Sequence, residues 1–152
     1  EWRALSLARY NAADGARYFK PGAVPLLRLL RGAGVRLCVA TASSPEFYLP
    51  VLRAGGAEEL FDAYATVAEA GKNKSFPAVF LLAAEKLNVP PSSCVVFEDN
   101  LTALRAAKAA GMQAAAVLDG QLPEALAALR AEADEFIASF EEFAASLPRR
   151  AE

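Results

Sequence analysis

The chain has 152 residues, 55% hydrophobic and 22% charged, which is enough apolar material for one buried core. Sixteen Lys+Arg against 18 Asp+Glu leave a formal net charge of -2, too balanced for the basic field that holds nucleic acid or an anionic membrane. The sequence contains no histidine, which removes Ser-His and Cys-His nucleophile pairs and His-ligated metals, so acid, base or metal chemistry must come from carboxylates and lysines. No apolar run approaches the roughly 18 to 20 residues of a membrane helix, and the opening Glu-Trp-Arg-Ala-Leu-Ser lacks the layout of a signal peptide. The expected location is the cytoplasm. Cys38 and Cys94 each sit in an apolar run and read as buried free thiols.

Residues 1–19 stand outside the rhythm of the rest and read as an amphipathic helix followed by a connector with Asp14-Gly15. From Pro21 onward short apolar runs alternate with helical stretches, the pattern of a parallel sheet covered by helices. Lys20-Pro21-Gly22 opens a helix with Leu26, Leu29, Leu30 and Ala33 on one face, and Gly34 ends it before a strand over 35–40. Thr41-Ala42-Ser43 follows. Ser44 is the expected N-cap and Pro45 the first residue of a helix that stops at Gly55-Gly56. A strand over 64–67 comes next, then a polar loop over 69–75 and a helix over 77–87. Pro90-Pro91 precedes an apolar strand over 94–97, which runs into Glu98-Asp99-Asn100, with Asn100 placed to cap a helix over 101–110. A strand over 113–118, a helix over 123–131, an edge strand over 135–137 and a helix over 140–147 complete the series, and 148–152 read as a frayed tail.

In an open parallel sheet, ligands gather beyond the carboxyl ends of the strands, where helix N-termini present N–H groups. Thr41-Ala42-Ser43, Lys74 and Glu98-Asp99 all fall at that edge. A hydroxyl, an amide-rich helix start, an ammonium and two adjacent carboxylates are the groups that hold a phosphate and a divalent cation. Each also has a plainer reading. Thr41 and Ser43 could end a strand and cap a helix, and Lys74 could be a solvated loop lysine. The acid pair after Val-Val-Phe points more to a metal than to capping. Gly71-Lys72 is not a P-loop, because Thr66 stands where the first glycine belongs and Asn73 follows the lysine. Gly32-Ala33-Gly34 precedes a strand and is no dinucleotide fingerprint. A receiver domain would place its acid pair before the threonine, whereas the order here is Thr, Lys, Glu-Asp.

The segments Lys20-Pro-Gly-Ala-Val-Pro-Leu-Leu, Leu37-Cys-Val-Ala-Thr-Ala-Ser-Ser, Gly71-Lys-Asn-Lys-Ser-Phe-Pro-Ala-Val-Phe and Val95-Val-Phe-Glu-Asp-Asn through Ala107-Lys-Ala-Ala-Gly-Met112 together resemble the haloacid dehalogenase superfamily, in its phosphatase and β-phosphoglucomutase-like branch. The resemblance covers about residues 19–143. It implies an α/β fold, a three-layer Rossmann-like core with a mainly parallel sheet at 20–147, and a cap remnant at 1–19. It implies Mg²⁺-dependent phosphoryl transfer from a small phosphorylated metabolite such as a sugar phosphate, through an aspartyl-phosphate. By position, Thr41 and the N–H of Ala42, with Ser43, match the phosphate-binding groups; Lys74 matches the lysine beside the phosphoryl group; Asp99 and Glu98 match the magnesium-binding acids.

The departures matter equally. The family's nucleophile lies in an Asp-x-Asp motif on its first strand, and no Asp-x-Asp occurs here; Ala12 and Ala16 flank Asp14 at that spacing. Ala78 stands where the family has an Asp after the proline, and Ala103 replaces a helix glycine. The first strand, which the family places between the strands carrying Thr41 and Asp99, and most of the helical cap are expected to be missing, as from an N-terminally truncated member. The chain by itself is then expected to be inactive. The alternatives are a phosphomutase parent, or a non-catalytic phosphate-binding protein that binds Mg²⁺ weakly and pairs through exposed strand edges as a homodimer.

Overall fold

The computed structural model of the chain describes residues 18–148. They fall into two compact units. One is helical and comprises 18–37, Ser43–Asp62 and 140–148. It contains α1 (Ala23–Gly32), α2 (Pro45–Ala54), a 3₁₀ turn (Glu58–Leu60) and α7 (Phe140–Ser146). The other, Cys38–Ala42 with Ala63–Ser139, carries the strands. Its elements are β1 (Cys38–Thr41), β2 (Ala63–Thr66), α3 (Val67–Ala70), α4 (Ala78–Leu87), a 3₁₀ turn (Pro91–Ser93), β3 (Val95–Glu98), α5 (Leu101–Ala109), β4 (Gln113–Val117), α6 (Pro123–Glu132) and β5 (Glu135–Ile137).

In the helical unit, α1 packs on α7 and α2 on the 3₁₀ turn. Gly22 precedes α1 at φ 77°, and a Cβ there would stand 2.6 Å from Glu141 Cγ, so glycine is required on both counts. Ser44 and Pro45 start α2 where the sequence placed them, but Ser44 makes no side-chain cap; its hydroxyl donates to Glu46 Oε1 at 3.0 Å.

In the α/β unit all strand pairings are parallel, as the alternating pattern requires, yet the strands form two sheets. β1 pairs with β2, Thr41 standing in register with Thr66. β3 pairs with β4, and β4 with β5, to give the order β3-β4-β5. Among the described residues no strand joins the two sheets, in keeping with the expected lack of a strand between those that carry Thr41 and Asp99. One apolar cluster nevertheless underlies both. Val79, Phe80 and Ala84 of α4, Ala103, Leu104, Ala106 and Ala107 of α5, Ala65 of β2 and Ala114 and Ala116 of β4 are buried in it, with Ala40 and Val96 packed against it. Alanines at Ala103, Ala106 and Ala107 let α5 lie close on β3 and β4, where larger side chains would hold it away.

Two polar clasps secure the unit. Asp134 accepts the Ala114 N–H at 2.8 Å at the start of β4 and pairs with Lys108 at 2.8 Å. Lys86 of α4 donates to the Tyr64 carbonyl and to Glu69, both at 2.6 Å, tying the helix to β2.

Candidate functional site

β2 leads directly into α3. Thr66 accepts the Glu69 N–H at 3.2 Å while Glu69 accepts the Thr66 N–H at 2.9 Å, a reciprocal capping box. Read as part of a polar loop, 69–75 concealed this turn of helix, although Thr66-x-x-Glu69 is its sequence signature. Three hydrogen bonds, led by that from Lys86, hold the Glu69 carboxyl at a pKa of about 2. Gly71, at φ 68°, ends α3 and turns the chain into the loop that carries Lys74. Asn73 Oδ1 accepts from the Ser75 N–H at 3.0 Å and fixes that loop from within.

Lys74 and Glu98 meet. Lys74 Nζ is ion-paired to Glu98 Oε2 and also lies 5.6 Å from the centre of the Phe80 ring. Glu98 ends β3 with its side chain 7% exposed, against 25% for Lys74. Burial holds the Glu98 carboxyl above the usual carboxylate range; Lys74 opposes that shift and the neighbouring Asp99 adds to it. The pairing puts the loop after β2 beside the carboxyl end of β3, the edge at which a parallel sheet gathers ligands.

Asp99 is exposed, directly beyond β3. Its backbone is held from both directions. Asn100 caps α5 as expected, its Oδ1 accepting from Thr102 N at 2.9 Å and Ala103 N at 3.2 Å. Gln121, a residue that no motif in the sequence singles out, donates from Nε2 to the Asp99 carbonyl at 2.9 Å. Thr41 and Ala42 occupy the carboxyl end of β1, and Ser43 begins the segment that belongs to the helical unit.

The chemistry of Glu98 and Asp99 suits a hard cation, which takes carboxylate oxygens and completes its shell with water and phosphate oxygens. Among the described residues no group of three or more His, Cys, Asp or Glu is placed to hold a metal. Cys38 and Cys94 are free; burial pushes the Cys38 thiol up to about 11 and raises that of Cys94. No helix among the described residues is long and apolar enough to cross a membrane.

The haloacid dehalogenase-like hydrolase family model matches residues 2–111 of the chain. The chain belongs to this family. It is 37% identical over 112 residues to the probable pseudouridine-5'-phosphatase of Drosophila melanogaster, covering 68% of this chain and 48% of that protein. Among solved structures, CbbY from Rhodobacter sphaeroides in complex with xylulose-(1,5)bisphosphate is similar at a TM-score of 0.72 and 35% identity, over 81% of this chain and 55% of that one. β-Phosphoglucomutase from Clostridium difficile is similar at a TM-score of 0.71 and 26% identity, over 84% and 53%. The chain thus spans about half the length of the relatives it matches.

Proposed function

We propose that the chain carries the phosphate- and cation-handling edge of a Mg²⁺-dependent phosphatase acting on a small phosphate monoester such as a sugar phosphate. The observation that carries this reading is the Lys74–Glu98 pair with Asp99 at the carboxyl end of β3. An ammonium supplies fixed positive charge for a phosphoryl group, and phosphoryl transfer depends chiefly on positioning and charge stabilisation. Thr41 and the Ala42 N–H would bind the phosphate oxygens, with Ser43 beside them. Asp99, with Glu98 directly or through water, would hold the magnesium, which would offset the phosphate's charge when bound. The names of the similar proteins support the substrate class: one is named a probable pseudouridine-5'-phosphatase and another is solved with xylulose-(1,5)bisphosphate.

No Asp-x-Asp occurs in the sequence, so we infer that the chain by itself has no nucleophile and does not turn substrate over. Similarity to a β-phosphoglucomutase favours a mutase as the second reading, since the same phosphate and metal groups serve either reaction. A non-catalytic phosphate-binding role is the third, in which the edges of β1 and β3 that no described strand covers serve a homodimer.

Calorimetric titration with inorganic phosphate, with and without Mg²⁺, combined with an aryl-phosphate turnover assay, tests the reading. Phosphate is expected to bind, Mg²⁺ alone to bind at about millimolar affinity or weaker, and turnover to be absent. Robust hydrolysis abolished by Asp99→Asn, or tight Mg²⁺ binding without phosphate, would contradict it. A sizing measurement on the same sample reports whether the strand edges pair two copies.

A further inference from the structure

The β3–β4 ladder ends at the Glu98–Ala116 register pair, so the next pair in register would be Asp99 and Val117. β3 stops short of it at Glu98, whereas β4 runs on to Val117, which pairs with Ile137 of β5. The side-chain amide of Gln121 bridges that pair, donating from Nε2 to the Asp99 carbonyl at 2.9 Å and to the Val117 carbonyl at 3.0 Å. Its Oε1 accepts the Asp119 N–H at 2.7 Å. One side chain thereby satisfies three backbone groups and adds a surrogate rung to the sheet, joining the turn after β3 to the turn after β4 at the candidate site.

We propose that Gln121 is a positioning residue for Asp99. This rests on the reading of Asp99 as a cation-binding carboxylate. Asp99 is exposed and lies one residue beyond the last register pair of β3. Gln121 holds its carbonyl, and Asn100, the following residue, caps α5. The cap constrains the chain on the α5 side only. Gln121 constrains it on the sheet side and fixes the peptide plane from which the Asp99 side chain departs. Groups that orient a metal ligand through hydrogen bonds typically govern about 10- to 100-fold in metal affinity when removed.

The side chain has to be an amide of this length. Leucine fills the space and offers no donor. Glutamate still accepts the Asp119 N–H, but its carboxylate would face the two carbonyls without hydrogens to give them.

The test is an NMR titration of the chain with Mg²⁺ at a fixed concentration of inorganic phosphate, read at the Asp99 and Asn100 amides, with a second titration by phosphate alone. Gln121→Leu is expected to weaken the Mg²⁺ response about tenfold or more while leaving the affinity for phosphate without Mg²⁺ unchanged. Gln121→Glu is expected to do the same, and serves if the leucine variant folds poorly. Arg105→Ala, which removes the exposed α5–α6 contact to Glu132, is the control for a purely structural loss and should leave both titrations at their original values. If Gln121→Leu and Gln121→Glu keep the original Mg²⁺ response while Asp99→Asn loses it, the positioning role is wrong and the cation reading stands. If both titrations weaken together in the Gln121 variants, Gln121 is structural and the proposal falls. If the unaltered chain shows no phosphate-dependent Mg²⁺ response, the cation reading fails and the positioning role with it.

Discussion

β4 and β3 are neighbours in one sheet, both short and both apolar in sequence, yet they have opposite surroundings. β4 has a strand on each side, and Ala114, Ala115, Ala116 and Val117 are all buried. Among the described residues β3 is paired on one side only; Val95 is 50% exposed and Phe97 37%. Apolar composition therefore reports that a segment suits a sheet, while pairing and covering decide how much of it leaves water. The consequence for function is that the candidate site sits at the end of the less protected strand. Its groups are tied by specific polar contacts, Lys74 on the buried Glu98 and Gln121 on the backbone of the exposed Asp99.

Substitutions along the two environments sharpen this contrast. Phe80 is 1% exposed in the cluster shared by both sheets, and Phe80→Ala is expected to cost about 3–5 kcal/mol in denaturant unfolding. The cleanest comparison uses one residue type. Val79→Ala, at a fully buried position, should lose about 1.5–3 kcal/mol, whereas Val95→Ala should change stability by about 0.5 kcal/mol or less. Equal losses at the two valines would show that β3 is covered in solution. Asn100→Ala removes both cap bonds at the start of α5 and should cost about 1 kcal/mol, within a range of about 0.5–2.

The smallest effect is pH-dependent. Glu69 has a folded pKa of about 2 against an ordinary 4.5, so its ion pair and capping box contribute fully above pH 4.5 and are lost as the pH falls toward 2. The melting temperature should therefore fall less between pH 4.5 and 2 in Glu69→Gln than in the unaltered chain. Identical acid limbs would show that the carboxylate contributes nothing beyond its exposed setting.

Most element positions were legible because the chain is locally consistent: Gly34, Pro45, Asn100 and Gly111 mark ends that the structure keeps within a few residues. Three features were not. α3 was hidden because its four residues are too short for helical periodicity, although the capping box was visible at Thr66 and Glu69. Ser44 was expected to cap α2 from its type, but its hydroxyl goes to Glu46. Gln121 carries no signal at all, because its role depends on two turns that are far apart in sequence meeting at one edge. The candidate site follows the same pattern. Residue types and order pointed to Lys74, Glu98 and Asp99, while the direct Lys74–Glu98 pairing is a property of the folded unit. The expectations for residues 1–17 and 149–152 lie outside the described residues.

The edge carrying Lys74 is expected to bind a phosphate, which a residue-resolved NMR titration of the chain with inorganic phosphate would reveal. Saturable shifts should concentrate at the Thr41, Ala42 and Lys74 amides and disappear in the Lys74→Met/Glu98→Gln double variant, which removes the ammonium without leaving a buried unpaired carboxylate. Shifts scattered away from these residues, or unchanged in the double variant, would contradict it.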